Sequence, residues 1–204
     1  ACNPINLYGA TKLASDKLFV ASNQTSDTAT TQFAVVRYGN VMGSRGSVIP
    51  FFLSCAEENS LPITDKKMTR FMISLEEGIR LVWHAFADMK GGEIYVKKIP
   101  SMNIMDIAEA IAPNAEKRII GIRPGEKLHE QMVGIEDASH TYEYEGYYKI
   151  LPAIHGWSKD LMRIGNGKKV ADGFSYSSDH NSKWMSVEEL QAWVASNYTK
   201  GSVN

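Results

Sequence analysis

The sequence has few cysteines, no long apolar run and no excess of either charge. Its two cysteines, Cys2 and Cys55, are too few for a disulfide framework and are typical of reduced cytosolic thiols. No Cys/His spacing fits zinc. The longest apolar run, residues 48–53, is far shorter than the ~18 residues of a membrane span. With 22 basic and 23 acidic residues the net charge is −1, which argues against binding to a phosphate backbone. These absences predict a cytoplasmic protein that binds no metal, nucleic acid or membrane.

The apolar residues make up 44% of the chain, enough for a buried core, and they recur with two different periods. Helical spacing alternates with short runs typical of strands. The expected helices cover residues 7–23, 50–59, 75–89, 103–112 and 186–196, and the expected strands cover residues 33–37, 93–97 and 117–122, while residues 61–71 are expected to form a turn and a strand. Residues 139–185, rich in Tyr, Gly, Ser and Asp, are expected to be irregular and to form a long structured excursion. The alternation predicts an α/β protein.

The strongest amphipathic pattern follows Ser74, which together with Glu77 forms a predicted capping box. The apolar residues on one face of this helix are Leu75, Ile79, Val82, Trp83, Phe86 and Met89. Among the expected strands, residues 33–37 form a continuous apolar run that suits a strand covered on both faces. Gly39 and Asn40 end this strand. Because ligands of open α/β sheets bind beyond the carboxyl ends of strands, we expect this turn to border a site.

Tyr8 and Lys12 stand four residues apart near the start of the first helix, so their side chains project from one face. A free tyrosine, with a pKa of ~10, is a poor base at neutral pH. A fixed ammonium group nearby favours the phenolate. The pair can therefore abstract a hydroxyl proton, although the same spacing also occurs on solvated helix faces.

The order of these features resembles the extended short-chain dehydrogenase/reductase superfamily. The helix with Tyr8 and Lys12 comes first, and a strand ending in Arg37, Tyr38, Gly39 and Asn40 follows. In that superfamily these two segments flank the nicotinamide. The resemblance therefore implies that Tyr8 and Lys12 are catalytic and that Tyr8, Lys12, Tyr38 and Val41 bind the cofactor.

Five further segments make the resemblance narrower. They are NPINLYGATK at residues 3–12, VRYGNVMGSRGSVIP at 36–50, MTRF at 68–71, RPGEKLHE at 123–130 and FSYSSD at 174–179. Together they resemble the UDP-N-acetylglucosamine 4,6-dehydratases, above all the C5-inverting type of pseudaminic acid synthesis, over essentially the whole chain. That family uses NADP and UDP-N-acetylglucosamine, and the resemblance also implies a homo-oligomer.

The resemblance implies the C-terminal part of a Rossmann-like, doubly wound parallel sheet with a smaller mixed α/β substrate-binding domain. Residues 1–45 would end the dinucleotide-binding domain. Residues 46–204 would mainly bind substrate, with residues 90–112 returning to the Rossmann sheet. The family's Gly-rich loop and a Thr-Asp-Lys triplet, whose Asp and Lys are the implied acid and base of the elimination, would lie before Ala1. We therefore expect an N-terminal part of the protein to be missing.

Candidate substrate-binding residues follow from the chemistry of a nucleoside diphosphate. Arg70 and Arg123 offer forked donors for phosphate, and Glu126 can accept hydrogen bonds from both ribose hydroxyls. By resemblance, these three residues and Asn40 contact the UDP moiety, while Val48 and Ile49 lie near the uracil. The sequence leaves open whether His129 supports this site.

Three functions remain open from the sequence. The first is NADP-dependent dehydration of UDP-N-acetylglucosamine with inversion at C5, giving a UDP-4-keto-6-deoxy sugar for surface glycans. The second keeps the fold but makes the protein a UDP-sugar 4-epimerase or a retaining dehydratase. The third is a non-catalytic nucleotide-sugar-binding fragment, in which this chain alone is inactive.

Overall fold

The computed structural model describes residues 2–24 and 31–198. Its α-helices are α1 (Leu7–Ala21), α2 (Val48–Ala56), α3 (Leu75–Asp88), α4 (Ile104–Ile111), α5 (Leu161–Ile164) and α6 (Val187–Asn197). Short 3-10 helices cover Ser22–Gln24, Ile135–His140 and Ile154–Lys159. The strands are β1 (Val35–Arg37), β2 (Asn40–Val41), β3 (Ser60–Ile63), β4 (Thr69–Ile73), β5 (Ile94–Lys97), β6 (Ser101–Asn103), β7 (Glu116–Ile119), β8 (Gln131–Val133), β9 (Thr141–Tyr144), β10 (Tyr147–Ile150), β11 (Lys168–Lys169) and β12 (Tyr176–Ser177).

The chain divides into two compact units that alternate along the sequence. The first unit takes in residues up to Tyr38, Glu76–Ile99 and Gln131–Ser177, and the second Gly39–Leu75, Pro100–Glu130 and the residues from Ser178 onwards. The functional boundaries predicted from the sequence, at residues 45 and 46 with a return at 90–112, stay a prediction.

The first unit contains a mixed five-stranded sheet in the order β1-β5-β10-β9-β11. β1 pairs with β5 in parallel, with Val35 opposite Ile94, while the remaining pairs are antiparallel. Val35 and Val36 are only half-buried, so the prediction of a strand covered on both faces is wrong for β1. Within the described residues β1 forms the edge of its sheet, and an edge strand has fewer neighbours to cover its side chains.

The excursion predicted at residues 139–185 is structured as expected, but the prediction that it is irregular is wrong at residues 141–150. β9 and β10 form an antiparallel hairpin in which Tyr147 lies opposite Tyr144. The turn between them contains Gly146, whose φ of 79° favours glycine. Tyr142, Tyr144 and Tyr148 are buried. The tyrosines that made this segment look irregular therefore pack it into the sheet.

α3 forms where the sequence predicts it, but most of its apolar face is exposed. Leu75, Ile79, Trp83 and Phe86 all lie at the surface, with Trp83 68% and Phe86 63% exposed. The buried residues of the helix are Gly78, Leu81 and Ala85. Leu81 and Ala85 pack with Tyr95 of β5. Helical periodicity identified an apolar face correctly, but periodicity does not show what covers such a face.

The second unit combines helices with two small sheets. β2 pairs with β4 in parallel, β4 pairs with β6 antiparallel, and β3 pairs with β7 in parallel. α4 packs against α2 and α6 around a core of buried side chains that includes Ile49, Phe52, Ile107 and Leu190.

Local sequence signals fix the helix starts of this unit. The Asn103 side chain accepts a hydrogen bond from the Met105 N–H at the start of α4, and Ser186 forms a capping box with Glu189 at the start of α6. α2 begins at Val48, two residues before its expected start. Pro50 is compatible with this because the first turn of a helix needs no N–H donor there.

Candidate functional site

The start of α1 holds the predicted catalytic pair. The Asn6 side chain caps the helix by accepting a hydrogen bond from the Gly9 N–H at 2.7 Å, which places Tyr8 in the first turn. Tyr8 is 72% exposed. The Lys12 Nζ lies 5.4 Å from the centroid of the Tyr8 ring, so the ammonium group and the phenol share one face of the helix.

Tyr8 and Lys12 line a cavity of about 540 Å³ in the first unit, here called the tyrosine cavity. Tyr38, at the end of β1, lines the same cavity. Three of the four predicted cofactor-binding residues are therefore brought together. The fourth, Val41, lies in β2 of the second unit and does not line this cavity.

The predicted substrate-binding residues gather at another cavity, here called the arginine cavity. This cavity of about 560 Å³ lies within the second unit. The predicted residues that line it are Asn40, Val48, Arg70, Arg123 and Glu126. Ile49 does not line it, because its side chain is buried in the core against neighbours such as Phe52. The step from Val48 to Ile49 turns the side chain by about 100° around α2, which carries Ile49 away from the cavity.

The two cavity arginines differ in how their donors are used. Arg70 Nη1 donates to the carbonyls of Thr69 at 2.8 Å and Leu128 at 3.1 Å, and Nη2 donates to the Lys127 carbonyl at 3.0 Å. Burial lowers the pKa of Arg70, and the nearby carboxylates of Glu130 and Glu126 oppose this shift. Arg70 thus fixes the backbone of the segment that carries the Arg-Pro-Gly-Glu motif.

Arg123 is exposed at the cavity. Within residues 2–24 and 31–198, its guanidinium makes no hydrogen bond or ion pair. Its donors are therefore available to a ligand. Glu126 is held beside it: the Thr64 hydroxyl donates to Oε1 at 3.3 Å, and the Arg123 N–H approaches Oε2 at 3.4 Å.

A hydrogen-bonded network lies behind Arg70. The Thr69 hydroxyl is 2.8 Å from His129 Nδ1 and 2.7 Å from the Ser178 hydroxyl. His129 Nε2 is 4.0 Å from Asp179 Oδ2, and the Glu130 N–H donates to Ser178 Oγ at 2.9 Å. His129 does not line the arginine cavity; it contacts the strand that carries Arg70. The structure thus places His129 behind the site.

Sequence reasoning missed two charged residues of the tyrosine cavity, Asp16 and Arg37. A signal for Asp16 was present, because it follows Lys12 by the same four residues that separate Lys12 from Tyr8. Arg37 belongs to the motif at residues 36–50, and that motif does not indicate a buried ion pair. Nothing in the sequence alone showed that the two side chains pair.

The residues that the structure describes contain neither a group suited to a metal ion nor a helix suited to a membrane. In the segments 2–24 and 31–198, no group of three or more His, Cys, Asp and Glu side chains is arranged to hold a metal ion. In the same segments, no helix combines the length and apolar character needed to cross a bilayer.

Comparison with known proteins gives the family. The family model described as "Polysaccharide biosynthesis protein" matches residues 1–152, about three quarters of the chain. The chain belongs to this polysaccharide biosynthesis family. It is 56% identical to the UDP-N-acetylglucosamine 4,6-dehydratase (inverting) of Campylobacter jejuni, over 98% of this chain and 62% of that protein. The resemblance to inverting dehydratases stated from the sequence is confirmed.

Other relatives of this family are more distant. The UDP-glucose 4-epimerase of Rickettsia felis is 37% identical over 94% of this chain and 57% of its own length. The X-ray structure of Pen from Bacillus thuringiensis superposes with a TM-score of 0.81 at 31% identity, over 96% of this chain and 58% of that chain. The predicted α/β, Rossmann-like class is confirmed. The chain spans about three fifths of the length of the relatives it matches.

Proposed function

We propose that this chain is part of an NADP-dependent UDP-N-acetylglucosamine 4,6-dehydratase that inverts C5 and supplies surface glycan synthesis. The observation that carries the proposal is the arginine cavity, where Asn40, Arg70, Arg123 and Glu126 meet. These four residues come from three separate segments of the chain, and their donors and acceptors match a nucleoside diphosphate. The identity of 56% to an inverting dehydratase supports the same activity.

The arginine cavity is assigned to the UDP moiety. Arg123 presents a planar fork that suits diphosphate oxygens, and Asn40 can donate a further hydrogen bond. Glu126 is held in place by Thr64 and accepts hydrogen bonds from the ribose diol. Val48 offers apolar contact to the uracil. Arg70 contributes positive charge from the wall and holds the segment that carries Arg123 and Glu126.

The tyrosine cavity is assigned to the reacting sugar carbon and to the nicotinamide. An ammonium group and two phenol hydroxyls, from Lys12, Tyr8 and Tyr38, line it, and this donor set fits a nicotinamide riboside. When bound, the nicotinamide supplies an acceptor for the hydride that leaves C4 of the sugar and a donor of hydride to C6 of the sugar. Val41 is retained as a proposed cofactor contact only through the resemblance.

The residues of this chain have defined roles in the proposed reaction. The Tyr8 oxygen accepts the proton of the sugar O4. The Lys12 ammonium stabilises the negative charge on the Tyr8 oxygen before this proton arrives, and it donates a hydrogen bond to a ribose hydroxyl. The 4-ketone formed in this way acidifies the C5 hydrogen, which allows loss of water across C5 and C6. By resemblance, the acid and base of that elimination belong to the Thr-Asp-Lys triplet expected before Ala1.

Replacing Tyr8 tests the proposed role of this residue. In a protein with the full length of the relatives, Tyr8→Phe removes the oxygen that accepts the O4 proton. We expect product formation from UDP-N-acetylglucosamine to fall by at least about 100-fold, measured by NMR of the reaction mixture. The matched control is Tyr147→Phe, which removes a hydroxyl outside both cavities. Near-normal turnover of Tyr8→Phe would refute the assignment.

Epimerisation is the second candidate, because the chain is 37% identical to a UDP-glucose 4-epimerase. An epimerase would use the same roles for Tyr8, Lys12 and the arginine cavity. It differs from a dehydratase in the product, which keeps the C6 hydroxyl and has the opposite configuration at C4.

We also propose a homo-oligomer. Supporting it, α1 exposes the large apolar residues Leu7 and Leu18, and α3 exposes Trp83 and Phe86. Contacts between copies through such helices would remove these side chains from water.

A further inference from the structure

α1 buries one residue, and that residue is charged. Its buried side chain is Asp16, which is 9% exposed, whereas Leu7, Leu18 and Phe19 are exposed. A surface helix ordinarily attaches to its domain through an apolar stripe. The buried anchor of α1 to its own unit is thus a carboxylate in the middle of the helix.

Arg37 of β1 receives this carboxylate. Its Nε donates to Asp16 Oδ2 at 2.8 Å, and its Nη1 donates to the Met132 carbonyl at 2.9 Å and to Asp137 Oδ2 at 3.1 Å. Arg37 is only 7% exposed. Burial by itself lowers the pKa of Arg37, but the hydrogen bond and charge of Asp16 and the charge of Asp137 raise it above its ordinary value. One guanidinium therefore ties α1, β1 and the segment 132–137 together.

The position of Asp16 relates this pair to the proposed catalytic residues. Tyr8, Lys12 and Asp16 follow one another at intervals of four residues, so they lie along one face of α1. All three line the tyrosine cavity together with Arg37 and Tyr38. The hydrogen bond from Arg37 to Asp16 therefore fixes the rotation of α1 relative to β1, and with it the direction in which Tyr8 and Lys12 project.

A contribution to stability alone does not explain the buried pair of Asp16 and Arg37 well. Asp16 Oδ1 and Arg37 Nη2 are both buried, and neither has a hydrogen-bond partner in the part of the chain that the structure describes. Buried ion pairs contribute little net stability because desolvation opposes their attraction. Their directional bonds do, however, restrict the geometry of the elements they join.

We propose that Asp16 and Arg37 are positioning residues, which hold Tyr8 and Lys12 in the orientation needed for proton abstraction. This inference rests on the proposed function of Tyr8. It assigns Asp16 no contact with substrate or cofactor.

The test compares Asp16→Ala with Asp16→Asn in a protein with the full length of the relatives. Alanine removes the acceptor of the Arg37 hydrogen bond and keeps the helix propensity of α1. We expect kcat to fall by about 10- to 100-fold, because small misplacements of reacting groups are costly. The KM for UDP-N-acetylglucosamine should change by less than about 2-fold, since the nucleotide is assigned to the arginine cavity. Asparagine, whose amide oxygen still accepts from Nε, should restore most of kcat.

Asp137→Ala is the matched control, because it removes the other carboxylate of Arg37 and leaves α1 attached. It should lower the melting temperature and keep kcat within about 3-fold of the unsubstituted protein. The proposal is overturned if Asp16→Ala keeps its kcat, or if Asp137→Ala loses as much kcat as Asp16→Ala. If Asp16→Ala does not fold, Asp16→Glu, which moves the carboxylate by one methylene, is judged by the same criteria. Retained turnover in Tyr8→Phe would instead contradict the proposed function.

Discussion

Arg70 and Arg123 look equivalent in the sequence, yet their surroundings give them different tasks. The Arg70 guanidinium donates hydrogen bonds to the backbone carbonyls of residues 69, 127 and 128. Arg123 has an exposed side chain at the same cavity. A guanidinium that is already hydrogen-bonded holds structure, whereas one without internal partners is available to an anion.

This difference predicts distinct effects of the two alanine substitutions. Arg123→Ala should weaken UDP binding by about 10- to 100-fold, since charge-assisted hydrogen bonds contribute about 1.5–3 kcal/mol, and should leave the melting temperature nearly unchanged. Arg70→Ala should lower the melting temperature as well, because it removes three hydrogen bonds to the part-buried carbonyls of residues 69, 127 and 128. Calorimetric titration with UDP and thermal unfolding measure the two effects.

Arg80→Ala is the control for these substitutions, since Arg80 is an exposed residue of α3 that pairs with Glu76 and lines neither cavity. It should change neither UDP affinity nor stability appreciably. Unaltered UDP binding by Arg123→Ala would remove Arg123 from the proposed site.

At the scale of elements, the β9–β10 hairpin concentrates tyrosines against β5. The Tyr144 and Tyr147 rings are stacked with centroids 4.7 Å apart, and Tyr95 donates a hydrogen bond to Asp88 at 2.7 Å. Burial raises the pKa of Tyr147 to about 12, and the charge of Asp88 adds to this shift. Burial also raises the pKa of Tyr95 and of Tyr144.

These shifts predict a loss of stability in alkali. A folded-state pKa above the unfolded value of ~10 means that the folded state holds the proton more tightly. The contribution to stability is therefore fully present below pH ~10 and is lost as the pH rises towards 12. The free energy of unfolding in urea should fall between about pH 10 and pH 12. Tyr147→Phe should fall less steeply over the same range, and an equal slope in both proteins would contradict this account.

The sequence predicted best those features that depend on one element. Tyr8 and Lys12 share a face because both lie on α1, and Asn103 and Ser186 cap helices through bonds that span two or three residues. Predictions that depend on how an element packs against the rest of the fold were less accurate. Periodicity could not show that the apolar face of α3 is exposed, and composition concealed the hairpin at 141–150, whose strands are only four residues long.

The gathering of Asn40, Arg70, Arg123 and Glu126 has a different basis. No local rule relates Asn40, Arg70 and the segment 123–126, so their common site was expected through the family resemblance and through the chemistry of a diphosphate. Ile49 shows the limit of that approach, because its neighbour Val48 lines the cavity and Ile49 itself packs in the core. The Asp16–Arg37 pair was missed since the pairing of a helix residue with a strand residue is a tertiary event.

At the scale of the whole molecule, each compact unit contains one of the two proposed functions. The first unit holds the residues proposed to abstract a proton and to contact the nicotinamide, and the second holds the residues proposed to bind the nucleotide. Both units are assembled from segments separated along the chain. The central claim about this protein is the proposed dehydration.

The most direct test of that claim is NMR analysis of the product formed from UDP-N-acetylglucosamine and NADP by the protein at the full length of its relatives. We expect a new methyl signal from C6 and an inverted configuration at C5, with no net consumption of the nicotinamide. A product that retains its C6 hydroxyl and differs from the substrate only at C4 would contradict dehydration and identify an epimerase.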